Sequence, residues 1–372
     1  MRRRWELRVI ACDDPQGKGK KYKGKSDESP TMTTLPVQFR MRIVFFTFAF
    51  VLLTFDLSLL WSASSDFPGP LMAPSIQALA TVGHQTVYAG SFGMGIFRSE
   101  DRGHTWTAVN TGLSDPFILS LTVGPNGMIY AGTFRGGVFR MKDGGKSWES
   151  FNTGLKRLEV KALLVKQGVL YAGTGDGLYS RSLEGMSEWT VVTKGLDDVL
   201  VHAIAMAPDH TLYVGTSGKG ILRYAPRAQE WQRVTHGLMD HEGLRENFIR
   251  VLTIDKDQAL YAGTFDGGVF RSGDGGTTWR GISRALPNDS IRGIVFHENS
   301  LYVGTGRGIF KTINQGGLWT PINKGLTEMS IQALIAGENG VLYAGTNSGA
   351  FRSDDGGATW ANISDGFQAD QK

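Results

Sequence analysis

The chain has 372 residues and a formal net charge of +4, enough for two average domains or one large repeat array. Its Gly 50 is roughly twice the usual ~7% share, while Gly and Pro together stay below the ~25–30% of disordered chains, which points to many tight turns rather than long helices. A single cysteine, Cys12, excludes a disulfide scaffold, a cysteine zinc site and an iron–sulfur cluster. The positive charge is local: residues 1–65 hold 11 Lys/Arg and 6 Asp/Glu, whereas residues 66–372 hold 28 and 29. The body therefore lacks the basic footprint of a nucleic-acid binder.

Residues 1–42 form a basic, disordered-type segment with Lys18 to Lys25 as its densest part. Ile43 to Trp61 is an apolar run whose only charge is Asp56, long enough to cross a bilayer. Arg40 and Arg42 precede it, so the chain beyond it is expected outside the cytoplasm. With Met1 as the start the run is a signal anchor. With Met41 as the start it is the h-region of a signal peptide, and Ser62-Ala63-Ser64 offers a cleavage site. Either way the body is exported, periplasmic, extracellular or anchored facing outward, and touches the membrane only through this segment. Residues 62–75 read as a linker.

Self-similarity dominates residues 76–367. Leu342-Tyr343-Ala344-Gly345-Thr346 recurs as Val87–Ser91, Ile129–Thr133, Leu170–Thr174, Leu212–Thr216, Leu260–Thr264 and Leu301–Thr305. A tryptophan follows each copy: Trp106, Trp148, Trp189, Trp231, Trp279, Trp319 and Trp360, at spacings of 42, 41, 42, 48, 40 and 41. Within a copy, four short runs rich in β-branched and aromatic residues are separated by Gly and Asp. In the fifth they are Ile249–Ile254, Ala259–Gly263, Gly268–Arg271 and Thr278–Ile282. No copy has room for a helix. Four strands per unit and seven units predict an all-β chain folded as a single seven-bladed β-propeller, followed by a tail at 368–372; a β-solenoid is the alternative.

Ser99 to Trp106 reads S-x-D-x-G-x-T-W, matched in full by Ser272 to Trp279 and Ser353 to Trp360, and by Lys142 to Trp148 apart from Met141 in the serine place. This resembles the Asp-box (BNR) hairpin of sialidase-like propellers. Asp101, Asp143, Asp274 and Asp355 are expected to accept turn N–H groups, glycine to supply positive φ, and Trp106, Trp148, Trp279 and Trp360 to pack each turn onto its own blade. Three copies depart: Glu184 and Met186, Pro226 and Ala228, and Asn314 stand in box positions. The basic column Arg98, Arg140, Arg181, Arg223, Arg271, Lys311 and Arg352 lies eight residues before each tryptophan. It is expected to pack over rings or pair with turn carboxylates. An insertion in the third copy leaves the place of Arg181 open.

Specific chemistry in a repeat ring belongs where the copies differ. The first strands begin Ile76-Gln77, Ile118-Leu119, Val160-Lys161, Val201-His202, Ile249-Arg250, Ile291-Arg292 and Ile331-Gln332. The second position is polar in six of these seven and, by strand alternation, points into the channel. Lys161, His202, Arg250 and Arg292 would form a cationic arc flanked by Gln77 and Gln332. Loops between second and third strands add Arg135, Lys219 and Arg307, together with Asp176 and Asp266. The long connection His236 to Phe248, holding Asp240, His241, Glu242, Arg245 and Glu246, is a further candidate surface. No metal template, catalytic set or cofactor motif appears.

The resemblance is nearest to single, exported seven-bladed propellers of the photosystem II assembly/stability factor type. It implies a non-enzymatic scaffold, some of whose kin bind proteins through an arginine patch. The expected partner is thus a protein or another anionic ligand at the channel face. The alternative is a carbohydrate-active glycosidase or lectin-like sugar binder. Against it, Pro70 to Pro74 lacks the R-I-P arginine of sialidases, and xyloglucan-degrading relatives need two propellers. No carboxylate pair stands out either. Oligomeric state is not legible.

Overall fold

The computed structural model describes residues 73–142, 145–193, 199–226, 230–239, 247–287, 290–297 and 299–367. The N-terminal segment, Asp143, Ala228, residues 240–246 of the long connection and the C-terminal tail lie outside the described residues. Among the described residues, seven antiparallel four-stranded sheets follow in chain order. Each is one sequence repeat, from β1 (Ile76–Val82) with the next three strands to β25 (Ile331–Ala336) with the last three. The chain is a seven-bladed β-propeller; its only helical turns are Pro125–Gly127 and Glu338–Gly340 among the described residues.

Strand order within each blade is sequential. The first strand lines the axis, and the motif strand (Thr86–Ser91 in blade one, Leu342–Thr346 in blade seven) is second and almost wholly buried. The fourth strand is Ser147–Ser150 in blade two and Glu230–Arg233 in blade four, but in blade five it is shorter than the sequence suggests, only Arg280–Gly281. Trp279 directs its backbone N–H to His236 O (2.8 Å) in the preceding connection.

The blades interlock through repeated contacts. A Cβ placed on Gly90 would lie 2.5 Å from Ile118 Cγ2 of the next blade, and one on Gly263 would lie 2.5 Å from Ile291 Cγ2. Gly345 meets Ile76 in the same way, at 2.8 Å from Cγ2, so blade seven closes on blade one without exchanging a strand. Trp106 belongs to a buried cluster with Phe97, Ile363 and Phe367, spanning the two ends of the ring.

The tryptophans join blades rather than packing only on their own. Trp279 Nε1 donates to Val234 O (2.9 Å) in the blade before, Trp319 to Ile282 O (2.8 Å), and Trp106 to Ile363 O (2.7 Å). The basic column is also corrected in one place. Tyr88 faces Arg98 and Tyr261 faces Arg271 across the second and third strands, but Tyr171 faces Ser180. The extra residue lies in the turn before Trp189, which moves Arg181 off the column. Arg181 instead sits 3.5 Å over the Phe151 ring and donates to Phe151 O.

The third-to-fourth turns carry the chemistry expected of the box. Asp274 accepts Thr278 N–H (2.9 Å), Thr278 Oγ1–H (2.7 Å) and Ser272 Oγ–H (2.8 Å), while Ser272 Oγ accepts Gly276 N–H (2.9 Å). Asp355 repeats this with Thr359 and Ser353. In blade six Asn314 accepts the same two bonds, from Leu318 N–H and Thr312 Oγ1–H. These turns lie with the first-to-second turns: Arg102 N–H donates to Gln85 O. They are therefore on the face away from the second-to-third loops.

Hydrogen bonds from Thr278 and Ser272 hold the Asp274 carboxyl down to about 2, and those from Thr359 do the same for Asp355. Against ~3.9 unfolded, this contribution to stability is complete above about pH 4 and is lost as pH falls toward 2. Asp274→Ala should lower unfolding free energy by roughly 1–3 kcal/mol, because the turn donors lose their acceptor. Asp274→Asn should cost less, as Asn314 already fills that role in blade six. Urea unfolding of the two variants at neutral pH checks the order; equal losses would assign the effect to charge instead of to hydrogen bonding.

Candidate functional site

The channel mouth is built by one irregularity repeated in every blade. The first strand pairs with the second through its leading Ile or Val and then skips a residue: Ile249 faces Thr264, Val251 faces Gly263, and Arg250 has no opposite number. The same shift recurs at Gln77, Leu119, Lys161, His202, Arg292 and Gln332. A bulge of this kind leaves one residue unpaired and re-aims its side chain. These seven side chains and Asn347 line a cavity of about 580 Å³ on the axis. None of the eight is a carboxylate.

The four basic positions expected to form a cationic arc sit in different environments. His202 Nε2 lies 2.6 Å from Ser217 Oγ, and burial, followed by the Lys161 and Arg250 charges, pushes its pKa down to about 4. It is neutral at physiological pH. Lys161 Nζ is paired with Glu159 Oε1 at 2.6 Å. Arg250 and Arg292 remain as guanidinium groups. Burial and then the neighbouring Arg292 push Arg250 down to about 10, opposed by Asp266, so it stays charged. Its Cζ stacks 4.4 Å over the Phe265 ring. Arg292 Nη1 donates to Ser330 Oγ (3.2 Å), and its buried Nε has no hydrogen-bond partner among the described residues. Gln77 donates to Ser75 Oγ (2.8 Å), and Gln332 to Asn347 and Ser330.

The second-to-third loops open on the same face. Phe92 N–H bonds Ser75 O, and Phe265 N–H bonds Phe248 O, which ties each loop to the connection leading into a first strand. Arg135 and Arg307 are exposed here but do not line the cavity. Arg135 Cζ rests 5.1 Å over Phe134. Asp176 is tied to Thr174 Oγ1 (2.8 Å) and Tyr179 OH (3.0 Å), so it serves its hairpin.

Sequence reasoning missed the aromatic rim. Phe92 packs edge-on to Phe117 (centroids 4.9 Å apart) and lies 6.3 Å from Phe134. Phe248 lies 6.0 Å from Phe265 and 6.3 Å from His202. Phe92 and Phe265 are 42% and 40% exposed. The signal was present: Phe92, Phe134 and Phe265 each follow the repeated Ser/Thr of the motif strand, and Phe117 and Phe248 each precede a leading Ile. A reading confined to titratable columns passes over them.

The His202 environment makes a direct prediction. In a proton-coupled nitrogen NMR titration its imidazole should titrate at about 4, below the ordinary ~6.5. Because the folded value is the lower one, the unfolded chain takes up this proton first. Stability should therefore fall as pH drops from about 6.5 toward 4. Arg250→Ala should raise the His202 pKa; an unchanged value would leave burial and the Lys161 charge as its causes.

No family model and no curated protein matches the sequence. Solved structures do. The extracellular domain of the hybrid two-component system BT3049 from B. thetaiotaomicron is similar at TM-score 0.64 and 19% identity, over 75% of this chain and 38% of that one. The GH74 enzyme of Niastella koreensis is similar at TM-score 0.60 and 16% identity, over 79% and 54%. This chain thus spans about two fifths to one half of those two proteins. YCF48, solved bound to D1 peptide, is similar at TM-score 0.60 and 13% identity, over 76% of this chain and 92% of that one. At such identities the likeness is one of fold, shared here by an extracellular domain of a two-component system, a GH74 enzyme and a protein bound to a peptide, and a fold alone does not carry a function.

Proposed function

We propose that this chain is an exported, non-enzymatic propeller that holds an acidic stretch of a protein partner at its channel mouth, in the manner of the assembly/stability factor-like propellers it resembles. One observation carries the reading. Arg250 and Arg292 stand side by side in a cavity whose lining includes no carboxylate, with the Phe265 ring beside them. A partner's Asp or Glu would relieve their mutual repulsion and accept their fork-like donors. The exposed phenylalanines around it supply the apolar contact area that, with arginine, makes up interface anchors. YCF48, a propeller of comparable length, is bound to a peptide, which supports a polypeptide as the kind of partner. A glycosidase needs two carboxylates about 5–10 Å apart in its cleft, and the channel lining supplies none.

Affinity capture of the full chain from its native extract, with mass spectrometry, identifies the partner. Arg250→Glu with Arg292→Glu should then slow association sharply, most at low salt where screening is weakest. The Asp274→Asn variant on the opposite face should bind as the parent does. Unchanged affinity and salt dependence in the double variant would remove the channel mouth as the site.

Export follows from the basic flank and apolar run at residues 40–61. An alkaline phosphatase fused after Lys372 should be active in a bacterial host, since that enzyme matures only outside the cytoplasm. An inactive fusion produced at normal level would overturn this reading.

A further inference from the structure

A second charged feature lies far from the channel, on the circumference between blades five and six. There a recess of about 340 Å³ is lined by Arg271, Arg280 and Arg284 on one side and by the Asn314–Gly317 turn on the other. Arg271 and Arg280 face each other directly across the third and fourth strands of blade five. Like charges in that arrangement are destabilising.

The other blades show what the scaffold does when nothing further is asked of this place. Opposite the basic column they carry Thr107, Glu149, Gln232, Thr320 and Ala361. None is a cation. Arg140 is paired with Glu149, and Arg223 donates to Gln232 Oε1 at 2.8 Å. In blades one and seven a carboxylate two residues after the column neutralises it: Glu100 beside Arg98 and Asp354 beside Arg352.

Blade five has none of these devices. Gly273 stands in the place of Glu100 and Asp354, Arg280 in the place of Glu149, and the facing turn of blade six has Asn314 where other boxes have aspartate. Arg284 adds a further cation. Among the described residues none of the three arginines is paired with a carboxylate. Arg271 Nε donates to Tyr261 OH (3.0 Å), which satisfies one donor and leaves its charge uncompensated. Blades four and six also lack a carboxylate at both places, with Ala225 and Gln232 in one and Ile313 and Thr320 in the other, but among the blades compared only blade five sets a second cation directly opposite the column.

We propose that this recess binds a small, doubly charged oxyanion, a phosphate or sulfate group, between Arg271, Arg280 and Arg284. Guanidinium forks match the paired oxygens of such a group, and its charge would turn the Arg271–Arg280 repulsion into attraction to a common centre. The site is independent of the channel reading, since it lies on other residues of the blade and makes no use of Arg250 or Arg292.

The test is thermal unfolding of the full chain in detergent, with inorganic phosphate, inorganic sulfate or a monosaccharide sulfate ester against chloride of equal ionic strength. At about tenfold excess over its Kd, the bound anion should raise Tm by about 3 °C. A larger rise with the ester than with free sulfate assigns the group to an esterified ligand, and the reverse assigns it to the free ion. Arg280→Thr with Arg284→Thr, which installs the blade-one residues Thr107 and Thr111, should abolish the rise without lowering Tm in chloride. Gly273→Glu, which restores the internal carboxylate of blade one, should abolish it as well; it also serves if the first variant fails to fold. No anion-specific rise, or a rise that survives in both variants, would overturn the proposal. A rise lost instead in the Arg250→Glu/Arg292→Glu variant would move anion binding to the channel and overturn it too.

Discussion

Everything in this molecule depends on a β-branched side chain seated over a glycine. The residue heading each first strand, Ile or Val, lies against the glycine of the preceding blade's motif strand, from Ile118 over Gly90 round to Ile76 over Gly345. Any side chain on those glycines would occupy the space of the incoming methyl group. Close-packed interiors transmit such a clash into backbone movement. The contact fixes how near neighbouring blades approach, and the tryptophan N–H bonds farther out, such as Trp279 to Val234 O, fix the spacing at larger radius. Two constraints at two radii set the wedge angle of a blade, and seven such wedges close the ring with each repeat intact.

The same contact creates the site. Once the leading Ile or Val is pinned, the strand must still pair with its own blade. The mismatch is absorbed by a bulge at the next residue in all seven blades, as between Ile291 and Gly293. That residue is released from the ladder and aimed at the axis. The scaffold thus specifies the backbone of the channel wall completely and its chemistry hardly at all. Gln, Leu, Lys, His and Arg all occupy the released position without disturbing the pairing on either side. Departures from repetition at this position are therefore not dictated by the scaffold, whereas the box aspartates, bonded within their own turns, hold those turns in shape.

The fold was legible because it is written seven times: motif, tryptophan and turn recur at a spacing that suits a four-stranded blade. The channel position was also legible, although for an incomplete reason. Alternation along a strand places residue two away from the blade core, but what separates Arg250 from both of its neighbours is the register shift, and no residue type marks a bulge in advance. Charge state was beyond sequence reading. Whether Lys161 is a free cation depends on Glu159, two residues earlier and folded back upon it. Whether His202 is charged depends on burial and on Arg250 from the next blade. The displaced Arg181 shows a related limit: counting back from Trp189 measures the turn as well as the strand, and the inserted residue lies in the turn.

Two like-charge pairs, Arg250 with Arg292 inside and Arg271 with Arg280 outside, occur within adjoining blades, whereas Arg98, Arg140 and Arg352 are paired with carboxylates. A scaffold with seven equivalent interlocks tolerates such local repulsion, since stability in a repeat array is close to a sum over units and their neighbours. Repulsion held in the free protein also alters what a ligand gains on arrival. An anion entering between two guanidiniums makes its own contacts and in addition removes an unfavourable interaction that was present before it bound. Salt weakens both effects together, because it screens the repulsion as well as the attraction. A steep dependence of binding on ionic strength is then the physical signature common to both places, and position on the blade distinguishes them.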